Sequence, residues 1–306
     1  MEKQEKNGIW TYNSLLPDIS VKYRLTLDEG HTPLREINSI YFKCEYENPT
    51  GSHKDRAMAF QVSRLFEKGI KKAVISSSGN AAISAASYCQ LAGIELTVFV
   101  SPKIKAKKLN RLEKLSCQII STPKPISSAF RFAQENQAIN LKQSADENAL
   151  FGYMTLAFEL IESAADIDAI FIPVSGGAGV CGLIRGYKRA GKKLPAIHVV
   201  QTEAVHPLSS IFDKDYIEKE TSIADAIVAK YSPLYPEIIE NIKESKGFGW
   251  VIADSDMVDA RKWLLENNLK CSYEGAAALA ALRKAEKQGI KYRHPVCILT
   301  GKNYEL

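Results

Sequence analysis

The 306-residue sequence predicts an α/β fold of two doubly wound domains, and three observations predict it. Short β-rich runs alternate with helical patterns along most of the chain, the order that a parallel sheet with crossover helices produces. The β-rich runs are apolar and lack a clean in–out alternation, as expected of strands covered by helices on both faces. Loops rich in glycine, serine and threonine follow several of these strands and open helices, and open α/β sheets bind ligands at such loops.

In chain order, a strand at 73–76 precedes a helix over 81–92, and a strand at 95–100 precedes a helix near 105–115. A strand at 118–121 and a helix over 126–136 follow, then a strand at 169–173, a helix near 179–190 and a strand at 197–201. A strand at 249–253, helices near 255–267 and 274–287, and a last strand at 296–299 complete the series. The stretch 202–246 is less regular and holds Pro207, Pro233 and Pro236; it reads as an active-site edge or an interface. The pattern divides into a small inserted domain over 57–155 and a large domain from 1–56 and 156–306, with a cleft between them.

Hydrophobic residues make up 45% and charged residues 25%, enough to bury a core and ordinary for a globular enzyme-sized chain. The net charge of +5 comes from short dispersed groups: Lys68, Lys71 and Lys72; Lys103, Lys105, Lys107 and Lys108; Lys188, Arg189, Lys192 and Lys193. These read as solvated helix faces and turns. A basic stripe interleaved with aromatics is absent, so no nucleic-acid partner is expected, although a mildly positive field attracts anionic substrates. The six cysteines form no C-x-x-C pair and mostly sit in apolar segments, as buried thiols of a reducing compartment do. The N-terminus is polar, without a signal-peptide core, and no apolar run approaches the roughly 18 residues of a membrane span. A cytoplasmic protein without a membrane partner is expected. Neither H-E-x-x-H nor G-x-S-x-G occurs, so no metal site or serine nucleophile elbow is expected.

Four segments carry chemistry. The first, residues 48–56, reads Asn-Pro-Thr-Gly-Ser-His-Lys-Asp-Arg. Its first four residues signal a turn, and Ser52 is suited to cap a following helix. Lys54 then falls in the first helical turn, where the positive end of the helix and a low-dielectric cleft both lower its pKa. A lysine that attacks an aldehyde needs this, because only the neutral amine is nucleophilic. His53 beside it is either a local acid/base or a bulky ring packing on a cofactor. The second, Ser76-Ser77-Ser78-Gly79-Asn80-Ala81, follows a strand and opens a helix, a site for an anion such as a carboxylate. Asn80 there either reaches a ring oxygen or caps the helix. The third, Ser175-Gly176-Gly177-Ala178-Gly179, again lies between strand and helix and can form a nest of backbone amides for phosphate. It lacks the sequence of a nucleotide P-loop and the full G-x-G-x-x-G of a dinucleotide fold, which weakens the reading as a nucleotide-binding oxidoreductase. The fourth, Thr300-Gly301, follows the last strand; by itself it reads first as a strand-ending turn, and alternatively as a hydroxyl placed to face a pyridine nitrogen.

Together these segments resemble fold-type II pyridoxal-phosphate (PLP) enzymes, and within the tryptophan synthase beta-like superfamily the chain is most similar to threonine synthase. Residues 8–17, Gly-Ile-Trp-Thr-Tyr-Asn-Ser-Leu-Leu-Pro, resemble that family's Trp-x-Tyr…Leu-Pro opening. Residues 26–34, Thr-Leu-Asp-Glu-Gly-His-Thr-Pro-Leu, resemble its Leu-Gly-Glu-Gly-x-Thr-Pro-Leu, and residues 48–56 differ from its Asn-Pro-Thr-Gly-Ser-Phe-Lys-Asp-Arg at one position. The resemblance covers roughly 8–304. It implies a PLP site in the cleft between the domains, with Lys54 holding the cofactor as a Schiff base and shuttling protons. Asn80 would bond the phenolic oxygen, Ser175, Gly176, Gly177, Ala178 and Gly179 would cradle the phosphate, and Thr300 would bond the pyridine nitrogen. Ser77, Ser78, Gly79 and Ala81 would approach the carboxylate of a small amino-acid substrate, and Glu274 matches a segment lining the ring. A homodimer is implied by analogy.

The chain also departs from the family. His53 stands where the family has Phe, and Ala57 where it has Gly. The glycine loop differs from the family's Gly-Asn-x-Gly-Asn. Residues 148–152, Asn-Ala-Leu-Phe-Gly, lack the arginine that helps hold a substrate phosphate near Leu150. The implied activity is a PLP-dependent lyase converting O-phosphohomoserine and water to threonine and phosphate. The lost arginine favours the alternatives, a serine/threonine dehydratase or a cysteine-synthase-like β-replacement enzyme. A catalytically inactive binding protein on the same fold is the non-enzyme alternative, against which the intact Lys54, Asn80 and glycine loop argue.

Overall fold

The computed structural model describes residues 7–102, 104, 106–163 and 166–303. The extreme N-terminus (1–6), Lys103 and Lys105 of the basic groups, the start of the helix expected near 105–115 and the last residue of the resemblance lie outside them.

The chain opens with two 3-10 segments and a hairpin of β1 (Leu34–Ile37) and β2 (Ile40–Lys43). Asn38 and Ser39 turn it with φ of 53° and 63°, the left-handed pair that matches the twist of antiparallel strands. Then follow α1 (Lys54–Glu67), β3 (Lys72–Ser76), α2 (Asn80–Ala92), β4 (Glu95–Val100), α3 (Ala106–Glu113), β5 (Gln118–Ser121), α4 (Pro125–Asn136) and β6 (Ile139–Asn140). After α5 (Glu147–Ser163) come β7 (Ala169–Pro173), α6 (Ala178–Arg189), β8 (Ala196–Thr202), α7 (Tyr235–Glu244) and β9 (Phe248–Ile252). The last elements are α8 (Asp254–Glu266), α9 (Tyr273–Lys287) and β10 (Pro295–Ile298).

Two sheets result. The four-stranded sheet runs β5-β4-β3-β6 and is parallel throughout. The six-stranded sheet runs β1-β2-β10-β7-β8-β9 and is parallel except for the β1–β2 hairpin. The expected α/β class with two parallel-rich sheets is what the structure has. Both faces of each sheet are covered. On the smaller sheet, Ile75, Leu96 and Val98 pack with α1 and α2, while Val74 and Phe99 pack with α4. On the larger sheet, Ile170, Ile172 and Val199 face α5, α6 and α7, and Phe171, Val200 and Trp250 face α8 and α9.

Helices α1 and α5 tie the two cores together. Met58 and Phe60 of α1 join the small-sheet core and Ala57 the other; Phe158 and Leu156 of α5 divide likewise. Their contact requires Gly152, because a β-carbon there would lie 2.0 Å from the Arg56 carbonyl oxygen. We propose the small domain over 57–155, with the rest of the chain as the large one. Both cuts pass through helices, α1 and α5, whose side chains enter both cores.

Across this junction lies a buried ion cluster. Arg56 is fully buried and bonds both oxygens of Glu45 at 2.7 Å and both oxygens of Glu159 at 2.6 and 2.8 Å. Lys43 Nζ donates to Glu159 at 2.6 Å and to the Thr32 carbonyl at 2.5 Å. Two cations face two anions, and each carries further hydrogen bonds, the condition under which buried charge is tolerated. Burial alone would raise the Glu159 pKa, but Arg56 and Lys43 outweigh it and bring it to about 2. Arg56 lies two residues after Lys54, so the cluster anchors the helical turn that carries Lys54.

The six cysteines form no disulfides; five are buried and Cys117 is half-buried. Among the described residues no helix is long and apolar enough to cross a membrane, and no His/Cys/Asp/Glu group of three or more is arranged to hold a metal.

Candidate active site

A cleft of about 440 Å³, within the range of small-molecule sites, opens between the sheets. The carboxyl ends of β3, β4, β6, β7 and β10 converge on it, where the topology of an open α/β sheet places a ligand. All four segments singled out in the sequence meet there: Lys54, residues 76–81, residues 175–179 and Thr300.

Lys54 is the first residue of α1. The turn before it is pinned to the end of β10: His53 N donates to the Thr300 carbonyl at 3.0 Å, and Lys302 N donates to the Gly51 carbonyl at 2.8 Å. The Ser52 hydroxyl accepts from Lys54 N at 3.3 Å, while His53 holds the cap position itself. Asp55 locks the other side, accepting from Thr50 N at 2.7 Å and from the Ser84 hydroxyl at 2.6 Å. The Lys54 amine lies 5.7 Å from the centre of the Tyr153 ring, and no carboxylate pairs with it among the described residues. Burial therefore brings its pKa down to about 8, so a useful fraction is the neutral nucleophile near neutral pH.

The loop after β3 leads into α2, with Gly79 at the cap position and Asn80 the first helical residue. Asn80 lines the cleft beside Gly301, where a β-carbon would come within 2.7 Å of its Nδ2. The glycine loop enters α6 through Gly177, at φ 86°, a left-handed conformation that L side chains rarely adopt. A β-carbon at Gly177 would also lie 2.6 Å from Ile238 Cδ1. The amides of the first turn, which have no intrahelical acceptor, are thereby left as a ring of donors.

The irregular stretch 202–246, whose pattern reads as an active-site edge or an interface, supplies a strap over the glycine loop, through residues that carry no signal of their own. The Ser175 hydroxyl accepts from Val228 N at 3.2 Å and Ala229 N at 3.3 Å, Ser232 donates to the Gly176 carbonyl at 2.6 Å, and the Tyr235 hydroxyl donates to the Ser175 carbonyl at 2.8 Å. Ala226 N on the same strap donates to Glu274 at 3.1 Å. Asp225 pairs with Lys108 of α3 at 2.7 Å, bridging the two walls of the cleft. Lys142 and Gln143, after β6, also line it. Residues 149–151, by contrast, turn into the protein: Ala149 and Leu150 are buried in the core, and Phe151 packs on Phe60 at 5.4 Å.

The match to known proteins decides what the cleft holds. A family model described as "Pyridoxal-phosphate dependent enzyme" matches residues 25–301. The chain belongs to this family. Its cofactor is pyridoxal phosphate, and it acts on a small molecule. The chain is 27% identical to the threonine synthase of Methanocaldococcus jannaschii, over 98% of this chain and 81% of that protein. It is 26% identical to the L-threonine ammonia-lyase of Thermotoga maritima, over 87% of this chain and 68% of that one. Among solved structures, maize serine racemase superposes with a TM-score of 0.80 at 24% identity, over 90% of this chain and 89% of that one, which shows the shared fold.

The residues present fit this cofactor. Among the described residues no carboxylate pairs with the Lys54 amine, and its pKa is shifted toward neutrality, as covalent attachment to an aldehyde requires. The donors at the start of α6 suit a phosphate. Two buried side-chain nitrogens bordering the cleft, His53 Nε2 and Gln143 Nε2, have no hydrogen-bond partner, as expected where a polar group belongs.

Proposed function

We propose that this chain is a threonine-synthase-like lyase, converting O-phosphohomoserine and water to threonine and phosphate. The observation that carries the reading is the cleft itself: Lys54, with its pKa brought to about 8, shares one cavity with an amide-rich carboxylate loop and two further lysines, Lys108 and Lys142. Lys142 offers positive charge to a phosphorylated substrate, while the charge of Lys108 is matched by Asp225. The near full-length similarity to a threonine synthase supports the same reading.

When bound, the cofactor supplies an electron sink for negative charge developing at the substrate Cα. Lys54 would hold it covalently, and its amine, as a free base, would move the proton at the substrate Cα. Asn80 would bond the cofactor's phenolic oxygen, Ser175, Gly176, Gly177, Ala178 and Gly179 would hold its phosphate, and the Thr300 hydroxyl would bond its ring nitrogen, leaving that nitrogen less protonated than an aspartate would. Ser77, Ser78, Gly79 and Ala81 receive the substrate carboxylate at the start of α2. The Lys108–Asp225 pair links the two walls of the cleft. The protein works as a homodimer, a reading that rests on the resemblance alone.

One observation favours a second reading. The segment expected to carry a phosphate-binding arginine is apolar and faces the core at Ala149 and Leu150, which suits a dehydratase whose substrate is serine or threonine. Incubating the PLP-loaded protein with O-phosphohomoserine, and separately with L-threonine and L-serine, distinguishes the two. Equal amounts of phosphate and threonine from the first, lost in Lys54→Ala, support the synthase. A 2-oxo acid and ammonia from threonine or serine, with no phosphate from O-phosphohomoserine, would establish the dehydratase instead.

A further inference from the structure

His53 occupies the position where the resembling family has phenylalanine, and the functional roles above leave it unused. Its ring lies edge-on to Tyr153, with centroids 5.3 Å apart and planes at 74°. Its backbone N–H is fixed to Thr300, so the ring is held from both ends. Nε2 is buried and has no hydrogen-bond partner. It points toward the first turn of α6, where a β-carbon built on Gly179 would lie 3.9 Å from it. Gly179 thus leaves the approach between the imidazole and the glycine loop clear.

A buried polar atom left unmatched is destabilising, so a partner is expected for it. Gly179, beside Nε2, belongs to the first turn of α6, whose amides are donors without intrahelical acceptors. A ring of donors with an orphaned imidazole nitrogen at its edge is matched by an anion that accepts from all of them. Burial, with Lys54 and Arg56 nearby, holds the His53 pKa well below its usual value, so the ring is neutral, and a neutral imidazole donates one N–H to such an anion.

We propose that His53 is a further cofactor-binding residue, donating a hydrogen bond from Nε2 to the phosphate of pyridoxal phosphate alongside the amides of residues 176–179. A phenylalanine in its place would fill the same space against Tyr153 without the donor. The proposal concerns only the cofactor, so it stands or falls separately from the choice between synthase and dehydratase.

The test compares two ligands that differ only in the phosphate. Cofactor-free wild type, His53→Phe and His53→Gln are titrated with pyridoxal phosphate and with pyridoxal, following the visible absorbance. A hydrogen bond to a charged acceptor predicts that His53→Phe binds pyridoxal phosphate roughly tenfold or more weakly, with pyridoxal affinity unchanged. His53→Gln, which keeps an N–H donor, recovers much of the loss. An equal loss for both ligands, or no loss for either, would overturn the proposal. A second measurement needs only a folded wild type: with ¹⁵N-labelled histidine, pyridoxal phosphate but not pyridoxal shifts one imidazole Nε2 resonance among the five histidines, and His53→Gln removes that resonance. A shift with both ligands, or with neither, would also overturn it.

Discussion

Replacing Lys54 by methionine should make the cofactor-free protein more stable while abolishing its chemistry. Burial brings the amine from its ordinary 10.5 to about 8. At about 1.4 kcal/mol for each tenfold change in proton affinity, the charged lysine costs the apo fold about 3 kcal/mol at neutral pH. The Tyr153 ring, 5.7 Å from the amine, returns up to about 1 kcal/mol. Lys54 is also half-buried and retains some contact with solvent, so a net gain of about 2 kcal/mol is expected from Lys54→Met. The sign with pH follows from the same numbers. Between about 8 and 10.5 the unfolded chain binds the lysine proton and the folded chain does not, so wild-type stability rises with pH across that window. The penalty is complete below 8 and fades above it. Urea unfolding of both cofactor-free proteins at pH 7 and at intervals up to pH 10 measures the difference. A variant no more stable than wild type at pH 7, or a difference that does not shrink as pH rises, would refute the reasoning.

Other consequences can be checked in the same way. Gly152→Ala drives a β-carbon to within 2.0 Å of the Arg56 carbonyl; the α1–α5 junction must move, with a loss of roughly 3 kcal/mol or more in thermal or chemical unfolding. Glu159→Gln leaves Arg56 and Lys43 short of an anion in the interior, and about 3–5 kcal/mol of stability is lost. Because the Glu159 pKa is lowered to about 2, wild type keeps this contribution above the ordinary carboxylate range and loses it as pH falls toward 2, so the gap between wild type and variant in acid titrations narrows only there. Gly301→Ala places a β-carbon 2.7 Å from Asn80 Nδ2; it should displace that amide, weaken cofactor binding and shift the visible absorbance band, with less effect on the apo melting temperature.

Much of the sheet framework was legible because buried parallel strands are short, apolar and bounded by glycine or polar loops. The expected strands at 73–76, 95–100, 118–121 and 169–173 coincide with β3, β4, β5 and β7 to within a residue. Helix α5 escaped notice because both its flanks are buried: Leu150, Tyr153, Leu156, Met154 and Phe158 serve two cores, so it has no polar face to produce a 3.6-residue rhythm. Strand β6 is only two residues long. The loops that converge on the cleft could be read because each combines a strand end, a helix start and small or hydroxylated residues. The bonds that the 202–246 strap makes to Ser175 could not: the amides of Val228 and Ala229 leave no trace in side-chain identity, and the Tyr235 hydroxyl meets the Ser175 carbonyl 60 residues away only in the fold. Nor could the pairing of Arg56 with Glu159, partners 103 residues apart that only the packing of α1 on α5 brings together.

The most direct test of the account is where the cofactor is attached. The PLP-loaded protein is reduced with borohydride, digested, and the pyridoxyl-modified peptide located by mass spectrometry. The account predicts a visible absorbance band that reduction abolishes, and a single modified residue, Lys54. A label on Lys108 or Lys142, or a protein that acquires no band when pyridoxal phosphate is added, would contradict it.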